Sequence, residues 1–199
     1  MKHLLLLFFL FLMFENQAQS DFSVKIKHHR DSINGAFKDS STSILDKKYR
    51  EKFTELAFYP ANEKFRVKAK FKAIKKAKVF EMKTTTKRLP LYKAYGKLYF
   101  EIDGKALELT VYQSQDLKNK EGYEDYLFIP FTDLTSGEES YGGGRYLDLR
   151  IKDLKNPVID FNLCYNPYCA YNAKYSCPIP PAENFLDVKI EAGVKAFEK

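Results

Sequence analysis

The sequence predicts a mainly β fold, an antiparallel sandwich or barrel-like sheet with one N-terminal helix. Three observations favour it. The chain has 17 phenylalanines and 14 tyrosines and no tryptophan, and such aromatic residues are enriched in strands. About eight short segments show strand patterns bounded by turn residues. A single segment near the N-terminus shows the spacing of an amphipathic helix. With 30% charged and 45% hydrophobic residues, the composition argues against a disordered, collagen-like or polytopic membrane protein.

Residues 1–20 are predicted to form a secretory signal peptide. Lys2 and His3 precede an unbroken apolar run over Leu4–Phe14, and a polar stretch with small residues follows. The run is shorter than the ~20 residues that span a bilayer, so no membrane anchor is predicted. No cysteine follows it directly, which argues against a lipid anchor. We therefore expect an exported, soluble protein that is periplasmic or extracellular.

The rest of the chain is predicted to divide into an N-terminal helix with its linker, residues 21–44, and a β-rich domain, residues 45–199. The net charge is +7, and the basic excess lies in residues 64–88. A basic face suits an anionic partner such as an envelope polysaccharide or a phospholipid. Lysines on a solvated strand also discourage edge pairing, which is the interpretation we prefer. An exported protein is not expected to bind nucleic acid.

The helix is predicted from residue 22 to residue 38. Its inward face is indicated by side chains at steps of three and four: Phe22, Ile26, His29, Ile33 and Phe37. Asp21 is a suitable N-cap, and a polar Ser/Thr stretch over 40–43 follows as a linker.

Strand patterns occupy most of the remaining sequence. Residues 65–72 alternate apolar and basic side chains, as in a half-buried strand. Residues 95–102 and 105–112 flank Asp103-Gly104, which favours a tight hairpin turn because both turn positions need positive φ. Further strands are predicted over 79–83, 127–131, 146–151, 158–163 and 185–190. Residues 132–139 are predicted to form a turn, and residues 164–184 a structured loop.

Five segments in the second half are long and distinctive. They are FIPFTDLTSG at 128–137, YGGGRYLD at 141–148, DFN at 160–162, YNPYCAYN at 165–172 and YSCPIPPAEN at 175–184. Together they resemble a prokaryotic family known as domain-of-unknown-function family 1684, over residues 45–192. The family pattern has one cysteine before Ala-Tyr and one before Pro-x-Pro, which match Cys169 and Cys177, whereas Cys164 departs from it. The resemblance implies a domain and a site region but no reaction.

Three cysteines in an exported chain favour a disulfide. A bond between Cys169 and Cys177 would close a loop of about nine residues and contribute ~2.6 kcal/mol in the chain-entropy model. Cys164 lies next to the predicted strand over 158–163 and is expected to be a buried small hydrophobe. A three-thiolate metal site and a reactive thiol are alternatives, although the spacing does not match a structural zinc site. We predict no metal and no cofactor.

The positions of the histidines in the sequence argue against histidine-dependent catalysis. After the predicted signal peptide, histidine occurs only at His28 and His29, far along the chain from the cysteines, and no G-x-S-x-G motif is present. An enzyme would then depend on carboxylates, and the alternative function is a hydrolase with Asp160 and Glu183 as acid and base.

The preferred function is binding of a small molecule or glycan at a pocket built from the 141–148 and 160–184 loops. The predicted binding side chains are Arg145, Asp148, Asp160, Asn162, Asn166, Tyr171, Glu183 and Asn184. Tyrosines of the second loop offer flat contact area with polar tips. The glycines of Tyr141–Arg145 could cradle a phosphate, but no Lys-Ser/Thr follows them, so a tight loop or bulge entering a strand is preferred.

Overall fold

The computed structural model describes residues 21–198, and the predicted signal peptide lies outside them. Helix α1 covers residues 21–38 and α2 covers Lys47–Arg50. The strands are β1 Arg66–Lys68, β2 Lys70–Ala73, β3 Val79–Glu81, β4 Leu91–Ile102, β5 Lys105–Ser114, β6 Tyr126–Asp133, β7 Arg145–Arg150, β8 Val158–Asp160 and β9 Phe185–Leu186. Short 3₁₀ helices cover Glu63–Phe65, Leu117–Asn119, Ile151–Lys155, Phe161–Leu163, Tyr168–Ala170 and Ala182–Asn184.

The main sheet has the strand order β2-β4-β5-β6-β7, with antiparallel neighbours throughout. β3 also pairs with β4, and β9 runs parallel to β6. β1 and β8 form a separate two-stranded antiparallel sheet. The prediction of a mainly β fold with one N-terminal helix is confirmed, and the sheet of the described residues is not closed into a barrel.

The predicted strand over 65–72 is wrong in one respect, because the chain changes sheets at Ala69. Its N–H donates to the carbonyl of Pro157 over 2.9 Å, so β1 stays with β8 while β2 joins β4. The alternation itself survives, since Phe65 is buried and the basic residues are exposed. A period of two sets which face a side chain lies on, but it does not identify the partner strand.

The predicted hairpin is confirmed. Asp103 has φ 52° and Gly104 has φ 75°, the left-handed pair that a primed turn requires. β4 and β5 pair from Ile102↔Lys105 outward, with one irregularity between Ala94 and Gly96.

The strands predicted over 158–163 and 185–190 are both shorter than expected. After β8, the Asp160 carboxylate accepts the N–H of Asn162 over 3.0 Å and caps a 3₁₀ turn. β9 pairs only through Phe185 and Leu186. Local backbone bonds therefore replace strand pairing where the sequence pattern alone would continue it.

Helix α1 packs on the domain through the predicted face. Phe22, Ile26 and Phe37 are buried. Asn34 accepts the N–H of Leu56 over 2.9 Å, and Arg30 donates to the carbonyl of Tyr59 over 2.8 Å. Among residues 21–198, no helix is both long and apolar enough to cross a membrane.

Candidate functional site

Two cavities of about 230 and 310 Å³ lie beneath α1 and share Asp148 and Tyr165 as wall residues. We refer to both together as the Asp148 groove. The first cavity is lined by His29, Leu147, Leu149, Asp160 and Leu163, among others. The second is lined mainly by apolar and aromatic residues: Ile33, Phe37, Phe58, Tyr168, Tyr171 and Val194.

The groove forms at the open edge of the main sheet. β7 is the last strand in the sheet order, and it is covered at Tyr146 by Tyr165. The backbones of these two tyrosines exchange hydrogen bonds of 2.9 and 3.1 Å. Asp148 lies two residues further on, where no described strand continues this pairing. The edge of β7 therefore opens into the groove at Asp148.

Asp148 is held by two tyrosines. The hydroxyls of Tyr126 and Tyr165 donate to its Oδ1 over 2.7 and 2.8 Å. Its Oδ2 accepts no hydrogen bond from the described residues. The Asp148 residue is exposed to solvent, although nearby protein groups crowd its carboxylate. This partial burial raises the pKa of Asp148, against the hydrogen bonds from Tyr126 and Tyr165 and the charge of Arg150, which lower it.

The two tyrosines remain hydrogen-bond donors at neutral pH. Burial, followed by the charge of Asp148, raises the pKa of Tyr126. Burial also raises the pKa of Tyr165, with Tyr126 and Asp148 adding to the effect. The arrangement therefore presents a fixed carboxylate with one free oxygen, which suits a hydrogen-bond donor or a cation.

His29 reaches the same groove, which the sequence did not predict, since the sequence argument concerned only the distance of both histidines from the cysteines. α1 carries it against the cavity that Asp148 and Asp160 line. Burial and then the charge of Arg30 lower the pKa of His29, whereas Asp160 raises it. The helical spacing did indicate that His29 faces inward, but nothing in the sequence indicated what it would face.

Besides Asp148, two of the predicted binding residues line the second cavity. Asn166 is 1% exposed, and its Nδ2 donates to the carbonyl of Lys195 over 2.8 Å. Its Oδ1 is buried and has no hydrogen-bond partner among the described residues. Tyr171 is also buried, and its ring lies edge-on to Phe37 of α1 at 4.8 Å between centroids.

Arg145 is a correction to the predicted binding set. Its side chain is 0% exposed and forms an ion pair with the equally buried Asp133 at 2.8 Å. The guanidinium also donates to backbone carbonyls of Ile190, Ala192 and Val194. Arg145 therefore organises the C-terminal segment, and no ligand reaches it.

The two remaining amides are also structural. Asn162 exchanges hydrogen bonds of 2.9 Å with the backbone of Asn62. Asn184 bonds both backbone groups of Thr110 and the carbonyl of Pro130, at 2.8 to 2.9 Å. Each side-chain amide hydrogen-bonds backbone N–H or C=O groups that have no partner in a helix or a strand pair.

The carboxylate pair of the alternative hydrolase is not brought together. Asp160 lines the groove and caps a 3₁₀ turn. Its Oδ2 lies 3.7 Å from the Nε of Arg66. Glu183 is exposed and accepts the hydroxyl of Tyr112 over 2.7 Å, and it does not line the groove. Two carboxylates that do not share a cavity cannot act on one glycosidic bond.

The glycines before β7 form a tight turn. The Gly144 N–H donates to the Tyr141 carbonyl over 3.0 Å, and Gly144 has φ 84°. A strand follows directly, so the helix terminus of a phosphate loop is missing here, as the sequence interpretation expected.

The basic residues of 66–72 are exposed. Arg66, Lys68, Lys70 and Lys72 project from β1 and β2. β2 is the other terminal strand of the main sheet, which is where lysines protect against edge-to-edge pairing.

The three cysteines are free thiols in the structure, so the predicted Cys169–Cys177 bond is not formed in it. The two residues are nevertheless neighbours, because the Cys169 N–H donates to the Cys177 Sγ over 3.2 Å. Cys164 is 2% exposed within the main core, as predicted. Across residues 21–198, no cluster of three or more His, Cys, Asp or Glu side chains is placed to hold a metal ion.

Comparisons with known proteins support a family but not an activity. A family model described as "Protein of unknown function (DUF1684)" matches residues 51–195. The chain is also similar to an uncharacterised protein of Haloarcula marismortui solved by solution NMR. The two are 29% identical with a TM-score of 0.67, over 90% of this chain and 97% of the other. No curated protein matches the sequence.

Proposed function

The chain belongs to the DUF1684 family of proteins of unknown function, and from that premise we propose that it binds a small organic molecule in the Asp148 groove. The ligand carries hydroxyl or amine donors beside an apolar face, as a sugar ring does. One observation carries the proposal. The Asp148 carboxylate is fixed through Oδ1 by two tyrosine hydroxyls, while Oδ2 is free in the wall that both cavities share.

The Asp148 carboxylate is fixed in position before a ligand binds. The hydrogen bonds from Tyr126 and Tyr165 fix its direction, so little side-chain freedom is lost on binding. Partial burial raises the pKa of Asp148, which means that the charged form lacks some of the solvation it has in water. A donor at Oδ2 supplies that missing interaction.

Asn166 also lines the second cavity, but it does not offer an accessible acceptor. The Asn166 Oδ1 in the second cavity is buried without a hydrogen-bond partner among the described residues. Leaving such an atom unpaired costs about 1–3 kcal/mol. Because the Asn166 side chain is only 1% exposed, a ligand in the groove does not reach this atom. The free Oδ2 of Asp148 alone favours a ligand with hydroxyl or amine donors over an anion.

The remaining walls supply apolar contact. Leu147 and Leu149 line the first cavity, and Phe37, Phe58 and Tyr171 line the second. Cavities of this size lie near the lower end of the range for small-ligand sites, about 300–1,000 Å³. A ligand of one or two rings fits, whereas a folded protein segment does not.

Export through residues 1–20 is part of the proposal, and it places the ligand outside the cytoplasm. N-terminal sequencing of protein recovered after export is expected to begin after Ala18 or Ser20. An N-terminus that still carries the apolar run would contradict export with cleavage.

The test is a titration of ¹⁵N-labelled protein with separate panels of monosaccharides and primary amines. We expect saturable shifts of the amide signals of Asp148, Leu149 and Tyr165. Asp148→Asn retains an oxygen for both tyrosines but loses the charge, and it should weaken binding by about 10- to 100-fold, as for a hydrogen bond to a charged group.

Glu183→Gln is the matched control for this titration. Glu183 also accepts a tyrosine hydroxyl, that of Tyr112, but lies outside the groove. Its substitution should leave the affinity unchanged. The proposal is wrong if neither panel produces saturable shifts, or if both variants weaken binding equally.

A further inference from the structure

The strongest chemistry outside the groove is the pair Cys169 and Cys177. The Cys169 N–H donates to the Cys177 Sγ over 3.2 Å, and the Tyr141 hydroxyl lies 3.8 Å from the Cys169 Sγ. Cys169 is partly exposed, whereas Cys177 is buried. One thiol of the pair therefore meets solvent, and the other lies behind it.

Both cysteines are held in place without a bond between them. Cys177 exchanges hydrogen bonds with Thr85, from its N–H to the hydroxyl over 3.1 Å and from the Thr85 N–H to its carbonyl over 2.9 Å. Next to it, Ser176 accepts from Arg88 over 2.8 Å. These contacts tie the Cys177 segment to residues 84–88.

The segment around Cys169 has its own anchors. Asn172 donates to the carboxylate of Asp46 over 2.7 Å, and its N–H bonds the Tyr168 carbonyl over 3.0 Å. The loop therefore keeps its shape with both thiols reduced.

From this arrangement we propose that Cys169 and Cys177 form a redox-active dithiol that exchanges with an external disulfide, with Cys169 as the attacking sulfur and Cys177 as the resolving one. The site is separate from the Asp148 groove, so this inference does not depend on the proposed function.

The surroundings of Cys169 favour the attacking role, and those of Cys177 favour the resolving role. Hydrogen bonding from Cys177, with help from Tyr141 and Thr85, lowers the pKa of Cys169. The same contact and burial raise the pKa of Cys177. Burial alone dominates at Cys164 and raises the pKa of that thiol. The thiolate is the nucleophile in such exchange, so Cys169 reacts first.

The chemistry balances in two steps. The Cys169 thiolate attacks one sulfur of the external disulfide, a mixed disulfide forms, and the other sulfur leaves and takes up a proton. Cys177 then loses its proton and attacks the Cys169 sulfur, which forms the Cys169–Cys177 bond and releases the second external thiol. The protein pair loses two electrons and two protons, and the external disulfide becomes two thiols.

The experiment uses the full chain in buffers of varied ratio of oxidised to reduced glutathione. Intact mass after alkylation should show reversible loss of two reactive thiols. In native protein, iodoacetamide should label Cys169 at least about ten-fold faster than Cys177. A second arm with insulin as the probe shows whether a protein disulfide reacts faster than glutathione disulfide.

Two variants assign the roles. Cys177→Ser should trap a stable glutathione adduct on Cys169, and Cys169→Ser should form an adduct about ten-fold more slowly or not at all. Cys164 is the internal control, because labelling of this buried thiol in native buffer reports an unfolded variant. In that case Cys177→Ala and Cys169→Ala replace the serine variants.

Three results would overturn the inference. The pair could stay fully reduced at every glutathione ratio. The bond, once formed, could resist excess dithiothreitol in the native protein, which would make it a structural disulfide. The Cys169→Ser protein could trap glutathione as fast as the Cys177→Ser protein, which would remove the assigned order of attack.

Discussion

Two charged groups near each other on β7, Arg145 and Asp148, have opposite surroundings. Arg145 has no exposed surface and is compensated by Asp133, which accepts from it at Oδ2 and from Thr135 at Oδ1. Asp148 receives two hydroxyls on one oxygen and leaves the other open to the groove. The charge at the Arg145 end of β7 is therefore fully enclosed by protein partners, whereas the Asp148 end has a carboxylate oxygen that is free to accept a hydrogen bond from a ligand.

The difference shows which feature separates a structural charge from a binding charge. Burial of an ion is costly, and it is tolerated only where partners replace water around every polar atom. Arg145 nearly meets this condition, since only its Nε is without a partner among the described residues. Asp148 is instead exposed, and its Oδ2 has no partner among the described residues, so this oxygen can accept a hydrogen bond from a ligand. Residue type alone would have ranked the two equally.

The largest expected effect on the free energy of unfolding comes from substitution of Arg145, at the enclosed end of β7. Arg145→Met should lower the free energy of unfolding by about 3–5 kcal/mol, because the buried Asp133 is left without its counter-ion. Urea denaturation measures this. The double variant Arg145→Met with Asp133→Leu should recover part of the loss. A loss below about 1 kcal/mol for the single variant would show that the ion pair does not organise this end of the strand.

A smaller effect is expected at the turn that leads into Arg145. Gly144→Ala should cost about 1–3 kcal/mol, since Gly144 has φ 84° and an added Cβ would lie 2.4 Å from the Phe131 carbonyl oxygen. Gly142→Ala is the matched control, because its Cβ would meet nothing closer than 3.4 Å. Thermal unfolding of the pair should separate them, and equal melting temperatures would mean that the turn adapts.

The smallest effect is expected at the open end, and it has the opposite sign. Partial burial raises the pKa of Asp148 above its usual 3.8, so the folded state holds this proton to higher pH than the unfolded state. The contribution of Asp148 to stability therefore falls as the pH rises from 3.8 through the raised pKa. Asp148→Asn removes the titration and should stabilise the protein at pH 7 by less than about 1 kcal/mol.

Urea denaturation of both proteins at pH 3 and pH 7 measures this difference. The stabilisation by Asp148→Asn should be present at pH 7 and vanish near pH 3. A clear destabilisation at pH 7 would mean that the carboxylate is structural, like Asp133, and that the contrast between the two ends of β7 is wrong.

Local patterns predicted the fold well. The face of α1 follows from the spacing of Phe22, Ile26 and Phe37, and the Asp103-Gly104 hairpin follows from the need for positive φ. Both depend on neighbouring residues in the chain. The break at Ala69 was missed because it depends on Pro157, far along the sequence.

The candidate site was predicted only in part, for the same reason. Asp148, Asp160, Asn166 and Tyr171 do line the groove, whereas Arg145, Asn162, Glu183 and Asn184 do not. The second set has the same polar chemistry as the first. Partners decide the difference, and those partners lie on other elements: Asp133 for Arg145, Asn62 for Asn162 and Thr110 for Asn184.

The sequence by itself determined the β class, the helix face, the hairpin turn and the family of this protein, because period, turn residues and motifs are local or linear properties of the chain. Tertiary structure alone decided which charges are saturated and which remain free. It brought His29 of α1 into the groove that carboxylates of β7 and β8 line, and it anchored the segments of Cys169 and Cys177, which the sequence had already paired, through residues distant in the chain. Those outcomes depend on contacts between distant residues, which no local pattern encodes.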